Sequence, residues 1–130
     1  MIQFKTISVI GLGYIGLPTA AAFASRKINV IGVDVNQYAV DTINRGEIHI
    51  VEPELDMIVH AAVTEGYLKA TTQTEPAEAF LIAVPTPFYP TVKNNEIPKP
   101  NLSYIESAAK SIAMVLKQGD LVILESTSPV

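Results

Sequence analysis

Apolar residues run along the chain in short blocks, each closed by glycine, proline or a polar turn. Residues 7–10 form one such block, ended by Gly11. Residues 29–33 form another, rich in β-branched side chains. Both predict strands. Between them, 14–26 is rich in alanine and predicts a helix. Pro18 falls in its first turn, where proline is tolerated because early N–H groups have no intrahelical partner. Residues 36–44 predict a short helix stopped by Gly46, and 53–64 predict another with Gly66 behind it. A weak third strand covers 68–72. Residues 80–84 and 121–125 predict a fourth and a fifth, continuously apolar as parallel strands covered on both faces should be. A helix over 101–116 is capped either by Asn101 or by Ser103 paired with Glu106, and Gly119 follows it.

Alternation of strand and helix predicts an α/β protein: a Rossmann-type, doubly wound parallel sheet of strand order 3-2-1-4-5 in three αβα layers. Residues 85–100 interrupt it with five of the nine prolines and with Asn94 and Asn95, which predicts a long loop. Long loops in compact domains are commonly functional or disordered. The sequence stops just after the fifth strand, where a crossover helix normally follows. It therefore reads as one domain, residues 1–130, truncated after that strand, with an apolar sheet face left exposed and prone to association.

Composition narrows the function. The 130 residues are 48% hydrophobic, enough for a real core. Nine Lys+Arg against 13 Asp+Glu give a net charge of -4. That balance argues against a nucleic-acid binder, which needs a basic face. Having no cysteine excludes disulfides, a Cys-ligated metal and a thiol nucleophile in these residues, and fits a reducing cytoplasm. No signal peptide and no membrane span is predicted.

Gly11, Gly13 and Gly16 form a G-x-G-x-x-G pattern between a predicted strand and a predicted helix. The second strand then ends in Asp34, 18 residues past Gly16. Together these are the fingerprint of a dinucleotide site. Gly11 permits the tight turn, Gly13 admits a pyrophosphate to the backbone, and Gly16 lets the helix pack close to the sheet. Free N–H groups and the helix dipole then hold the diphosphate without a formal positive charge. The plain alternative is a glycine turn with no ligand. Asp34 suits a ribose 2′-hydroxyl and would repel a 2′-phosphate, and Val35 and Asn36 offer no arginine in compensation. NAD is therefore expected rather than NADP. A helix-capping aspartate is the alternative at Asp34.

Other candidates are less specific. Thr86, in Val84-Pro85-Thr86-Pro87, stands at a strand end where ligands collect, or else caps a rigid turn. Thr127, after the fifth strand, is a cofactor contact or a polar strand exit. Tyr14 packs on the cofactor or is a half-exposed aromatic. His49 and His60 lack ligand-spaced partners and read as surface or packing residues, so no metal is expected. Glu47, Glu52 and Glu54 read as charges favouring a helix N-terminus.

Four stretches in order resemble the N-terminal part of the UDP-glucose/GDP-mannose dehydrogenase family. They are residues 11–20, residues 44–49 with Glu52 and Pro53, residues 84–87, and residues 125–130. The likeness is greatest to the branch acting on UDP-N-acetyl-D-mannosamine. The resemblance implies an NAD-dependent, four-electron oxidation of the sugar C6 hydroxymethyl to a carboxylate, for bacterial surface polysaccharide. It implies cofactor contacts at Tyr14, Ile15, Asp34, Thr86 and Thr127, the last also orienting a water. It places the nucleophilic cysteine, the catalytic lysine and the UDP-sugar site beyond residue 130. These residues should then bind NAD without turnover, none of them being catalytic, and the full-length enzyme should be a cytoplasmic homo-oligomer. Ala39 stands where several relatives carry a basic residue, and the loop over 85–100 is longer than the resemblance leads one to expect. Two other readings share the fingerprint: a different NAD-dependent dehydrogenase, of the UDP-glucose or β-hydroxyacid type, and a nucleotide-sensing regulatory module.

Overall fold

Five parallel strands hydrogen-bond in the order β3-β2-β1-β4-β5: β1 (Thr6–Ile10), β2 (Asn29–Val33), β3 (Leu68–Thr71), β4 (Ala79–Ile82) and β5 (Leu121–Leu124). Four helices connect them: α1 (Gly16–Ser25), α2 (Gln37–Asn44), α3 (Leu55–Thr64) and α4 (Ser103–Ala113). These come from a computed structural model, which describes residues 5–87, 89, 97, 99 and 101–125. The architecture is the doubly wound sheet that the sequence predicts.

Alternation along each central strand builds the layers, because successive side chains point to opposite faces. Val9, Val30 and Leu81 enter a cluster with Leu17, Val40, Ile43 and Val59 of α1, α2 and α3. Ile10, Ile31 and Ile82 face the other way, into a cluster with Phe80 and with Ala108 and Ile112 of α4. Register aligns Val9 with Gly32 on one side and with Leu81 on the other. The ends of β1, β2 and β4 therefore arrive at one edge together.

Several boundaries shift. The helix predicted from residue 14 begins at Gly16, because residues 13–15 make the turn into it. α3 begins at Leu55, because Glu54 takes a left-handed φ of 66° and keeps Pro53 outside. Glu54 is its N-cap residue and makes no side-chain capping bond. The predicted fourth strand ends two residues early, at Ile82: Ala83 still bonds to Ile10 O at 2.7 Å, and Pro85 then directs the chain away. Asn101 does cap the region before α4, its Oδ1 accepting from Ser103 N at 2.9 Å, but the helix stops at Ala113 rather than near 116.

β5 departs most. Its apolar run reads as covered on both faces like β4, although an exposed sheet face is also among the expectations from sequence. Leu121, Val122, Ile123 and Leu124 are each 42–51% exposed. It is an edge strand paired with β4 alone, and the helices pack mainly over β1 to β4. The exposed apolar face anticipated from the sequence is therefore present.

Candidate cofactor site

The C-terminal ends of β1, β2 and β4 open on one cleft of about 750 Å³. That volume suits a bound small molecule. Its floor is the turn from β1 into α1. Gly11 has φ 98°, and a Cβ there would lie 2.7 Å from the Ala83 carbonyl oxygen. A Cβ on Gly16 would overlap the Gly11 carbonyl oxygen. At Gly13 a Cβ would meet nothing within 4 Å, so the space above that peptide is open. Gly13, Tyr14 and Ile15 line the cleft ahead of the first α-helical bond, Leu17 N to Gly13 O at 3.1 Å. Ile15 is the N-cap residue and makes no side-chain cap. The early N–H groups are left to an outside acceptor, which the helix dipole makes preferably anionic.

Leu12 also lines the cleft, but its side chain packs into the core. It is fully buried and lies on Gly32, where a Cβ would meet its methyls at 2.9 Å. That seat brings the Leu12 N–H to Asp34 Oδ2 at 3.0 Å. Asp34 Oδ1 accepts from Asn36 N at 2.9 Å. Two backbone donors thus fix the carboxylate at the cleft. It is the one charged side chain among the described residues that line it.

Most of the residues picked from sequence converge here. Gly11, Gly13, Tyr14, Ile15, Asp34 and Thr86 line the cleft, and Gly16 packs behind it. Tyr14 is 62% exposed at the rim, whereas Thr86 is buried. Thr127 lies outside the described residues. His49 and His60 are not in the lining; His60 packs over Gly46, a Cβ at which would stand 2.8 Å from its Nδ1. No group of three or more His, Asp or Glu among the described residues is placed to hold a metal ion. In the long loop, Tyr89 N donates to Lys99 O at 2.8 Å and Asn101 N to Pro87 O at 2.6 Å.

Two walls were not foreseen. Thr72, Gln73 and Thr74 follow β3 along one side, and Tyr104, Ser107, Ala108 and Ser111 of α4 form another. Thr74 Oγ1 donates to Ser111 Oγ at 2.9 Å, and Ser111 Oγ donates to Ala108 O at 2.8 Å, which ties the walls together. The small residues at 107, 108 and 111 share one helical face. That spacing was a readable signal, but only packing shows which way the face points.

Residues 5–130 match the UDP-glucose/GDP-mannose dehydrogenase family, NAD binding domain. The chain belongs to the UDP-glucose/GDP-mannose dehydrogenase family. Its cofactor is NAD, and the open Gly13 peptide beside a fixed Asp34 fits that group. Across 99% of its length the chain is 70% identical to an NDP-N-acetyl-D-galactosaminuronic acid dehydrogenase of Ralstonia nicotianae. Across 98% it is 70% identical to a UDP-N-acetyl-D-mannosamine dehydrogenase of Yersinia pestis. Among solved structures, the UDP-N-acetyl-mannosamine dehydrogenase of Staphylococcus aureus superposes with a TM-score of 0.85 at 40% identity, over 94% of this chain. The chain spans 29% of the length of each of the three. No helix among the described residues is long and apolar enough to cross a membrane.

Proposed function

We propose that residues 1–130 are the NAD-binding domain of a nucleotide-sugar 6-dehydrogenase acting on UDP-N-acetyl-D-mannosamine in the cytoplasm. The product is the corresponding uronate, for surface polysaccharide. The observation that carries the cofactor part is the pairing of an open Gly13 peptide with Asp34, whose carboxylate two backbone N–H groups hold at the same cleft. Gly11, Gly13 and Gly16 shape the cradle, and the N–H groups of residues 13–15 receive the diphosphate. Asp34 accepts from the adenosine ribose hydroxyls. Tyr14, Ile15 and Thr86 bound the remaining length, with Thr127 a further contact. Bound there, NAD supplies a hydride acceptor at its nicotinamide. The residues that handle the sugar belong to the remaining length of the protein.

Calorimetric titration of the chain with NAD⁺ and with NADP⁺ tests this reading. Saturable NAD⁺ binding, lost in Asp34→Ala and absent for NADP⁺, is expected. Binding of NADP⁺ as tight as NAD⁺ would overturn the role of Asp34. A second sugar reading rests on the equal 70% identity to the N-acetylgalactosaminuronic acid enzyme. NADH production by the whole protein with each UDP-N-acetylhexosamine separates the two.

A further inference from the structure

Thr19 of α1 and Glu125, the residue after β5, meet across 106 positions of sequence: Thr19 Oγ1 lies 2.9 Å from Glu125 Oε1. The same hydroxyl lies 2.9 Å from Ile15 O. One hydroxyl proton serves one acceptor at a time, and the carboxylate is the stronger of the two. Ile15 O is not stranded by that choice, since it also accepts from Thr19 N at 3.2 Å. Glu125 Oε2 is buried and finds no partner among the described residues. Among the described residues, Thr19 is therefore the side-chain donor to this carboxylate. At its backbone, Glu125 N donates to Ile82 O at 2.8 Å, joining it to the end of β4 just before Ala83.

Topology says which part of the cleft this contact governs. On the dinucleotide reading above, Asp34 at the end of β2 receives the adenosine ribose, and the diphosphate lies over the turn from β1. With β2 and β4 on opposite sides of β1, the rest of the ligand runs toward the ends of β4 and β5. Ile15 and Ala83, the neighbours that the Thr19–Glu125 contact braces, both line the cleft, whereas Thr19 and Glu125 do not.

We infer that Thr19 and Glu125 are a pair of positioning residues that hold the first turn of α1 against the exits of β4 and β5, and so set the nicotinamide half of the NAD site. They act without touching the cofactor. The inference rests on the proposed dinucleotide reading and deepens it.

The test is calorimetric titration of the chain and of Thr19→Val, Thr19→Ser, Glu125→Leu and the Thr19→Val/Glu125→Leu double variant, with NAD⁺ and separately with ADP. ADP carries the adenosine and diphosphate but no nicotinamide. Loss of one part-buried hydrogen bond predicts NAD⁺ binding weakened by about three- to tenfold in each disrupted single variant. The double variant should be no worse than the weaker single, because the two side chains share one contact. Thr19→Ser, which keeps the hydroxyl, should bind like the parent, and ADP should lose clearly less than NAD⁺, because Ile15 O keeps its bond from Thr19 N and the diphosphate turn stays held. Equal losses for NAD⁺ and ADP would make the contact merely structural and overturn the inference, as would unchanged NAD⁺ binding by Thr19→Val, the variant closest in shape. Failure of the parent chain to bind NAD⁺ would instead overturn the dinucleotide reading on which the pair depends.

Discussion

The Leu12 N–H donates to Asp34 Oδ2 at 3.0 Å, so the residue after the first glycine holds the carboxylate at the end of the next strand. The bond exists because Leu12 is buried on Gly32, which has no side chain to displace it. Turn, strand and acid thus form one unit, and the orientation of Asp34 depends on a residue whose side chain is buried in the core.

Gly32→Ala tests that unit. The new methyl would press on both Leu12 methyls at 2.9 Å. Overpacking of this kind costs about 1–3 kcal/mol. Urea denaturation should show that loss, and NAD⁺ affinity should fall with it as the Leu12 N–H moves off Asp34. Full affinity in a destabilised variant would uncouple Leu12 from the site.

Asp34→Asn keeps the shape and removes half of the acceptors. Both carboxylate oxygens accept from backbone N–H groups, those of Leu12 and Asn36. An amide placed there points its NH₂ at one of these donors whichever way it turns. We expect a stability loss of about 1–3 kcal/mol together with weakened NAD⁺ binding. Thermal unfolding and calorimetry read the two effects. An isostable variant would show that the loop tolerates an unpaired donor.

Asn44 closes the outer edge of β3. Its Nδ2 donates to Ala70 O at 2.9 Å, and its Oδ1 accepts from Ala70 N at 2.8 Å. The amide stands in for a neighbouring strand. Asn44→Ala should cost about 1 kcal/mol. Asn44→Asp should cost more at neutral pH, because a carboxylate accepts from Ala70 N but repels Ala70 O. Chemical denaturation ranks them, and the reverse order would rule out the two-sided bridge.

Lys27 and Glu54 both hold φ at 66°. Lys27 sits where helix α1 unwinds, its N–H bonding Ala24 O at 2.9 Å, and glycine is favoured at that position. Lys27→Gly and Glu54→Gly should each stabilise the fold by about 0.5–1 kcal/mol, since left-handed backbone strains a side chain with a Cβ. A lower melting temperature in either variant would mean that the side chain contributes more than the strain costs.

Ser8 lies fully buried in β1, and its Oγ has no hydrogen-bond partner among the described residues. Ser8→Ala removes an unsatisfied hydroxyl at little cost in volume, so stability should hold or rise by up to about 1 kcal/mol. A clear drop in the urea midpoint would reveal a partner for that hydroxyl.

Local pattern determined the elements, their order, the glycine turn and the acid that answers it. Each of these depends on neighbouring residues: the period of the apolar positions, glycine where φ is positive, proline where a strand must end. Packing decided the rest. That Leu12 would steer Asp34, that Thr74 and Ser111 would close a wall, and that Thr19 would reach Glu125 all depend on pairs far apart in sequence, and single-residue patterns carry no trace of such pairs. The exposure of β5 is only partly of the same kind, since an uncovered sheet face is among the expectations from sequence. Its four apolar residues read like those of the buried β4, and only its place at the edge of the sheet distinguishes them.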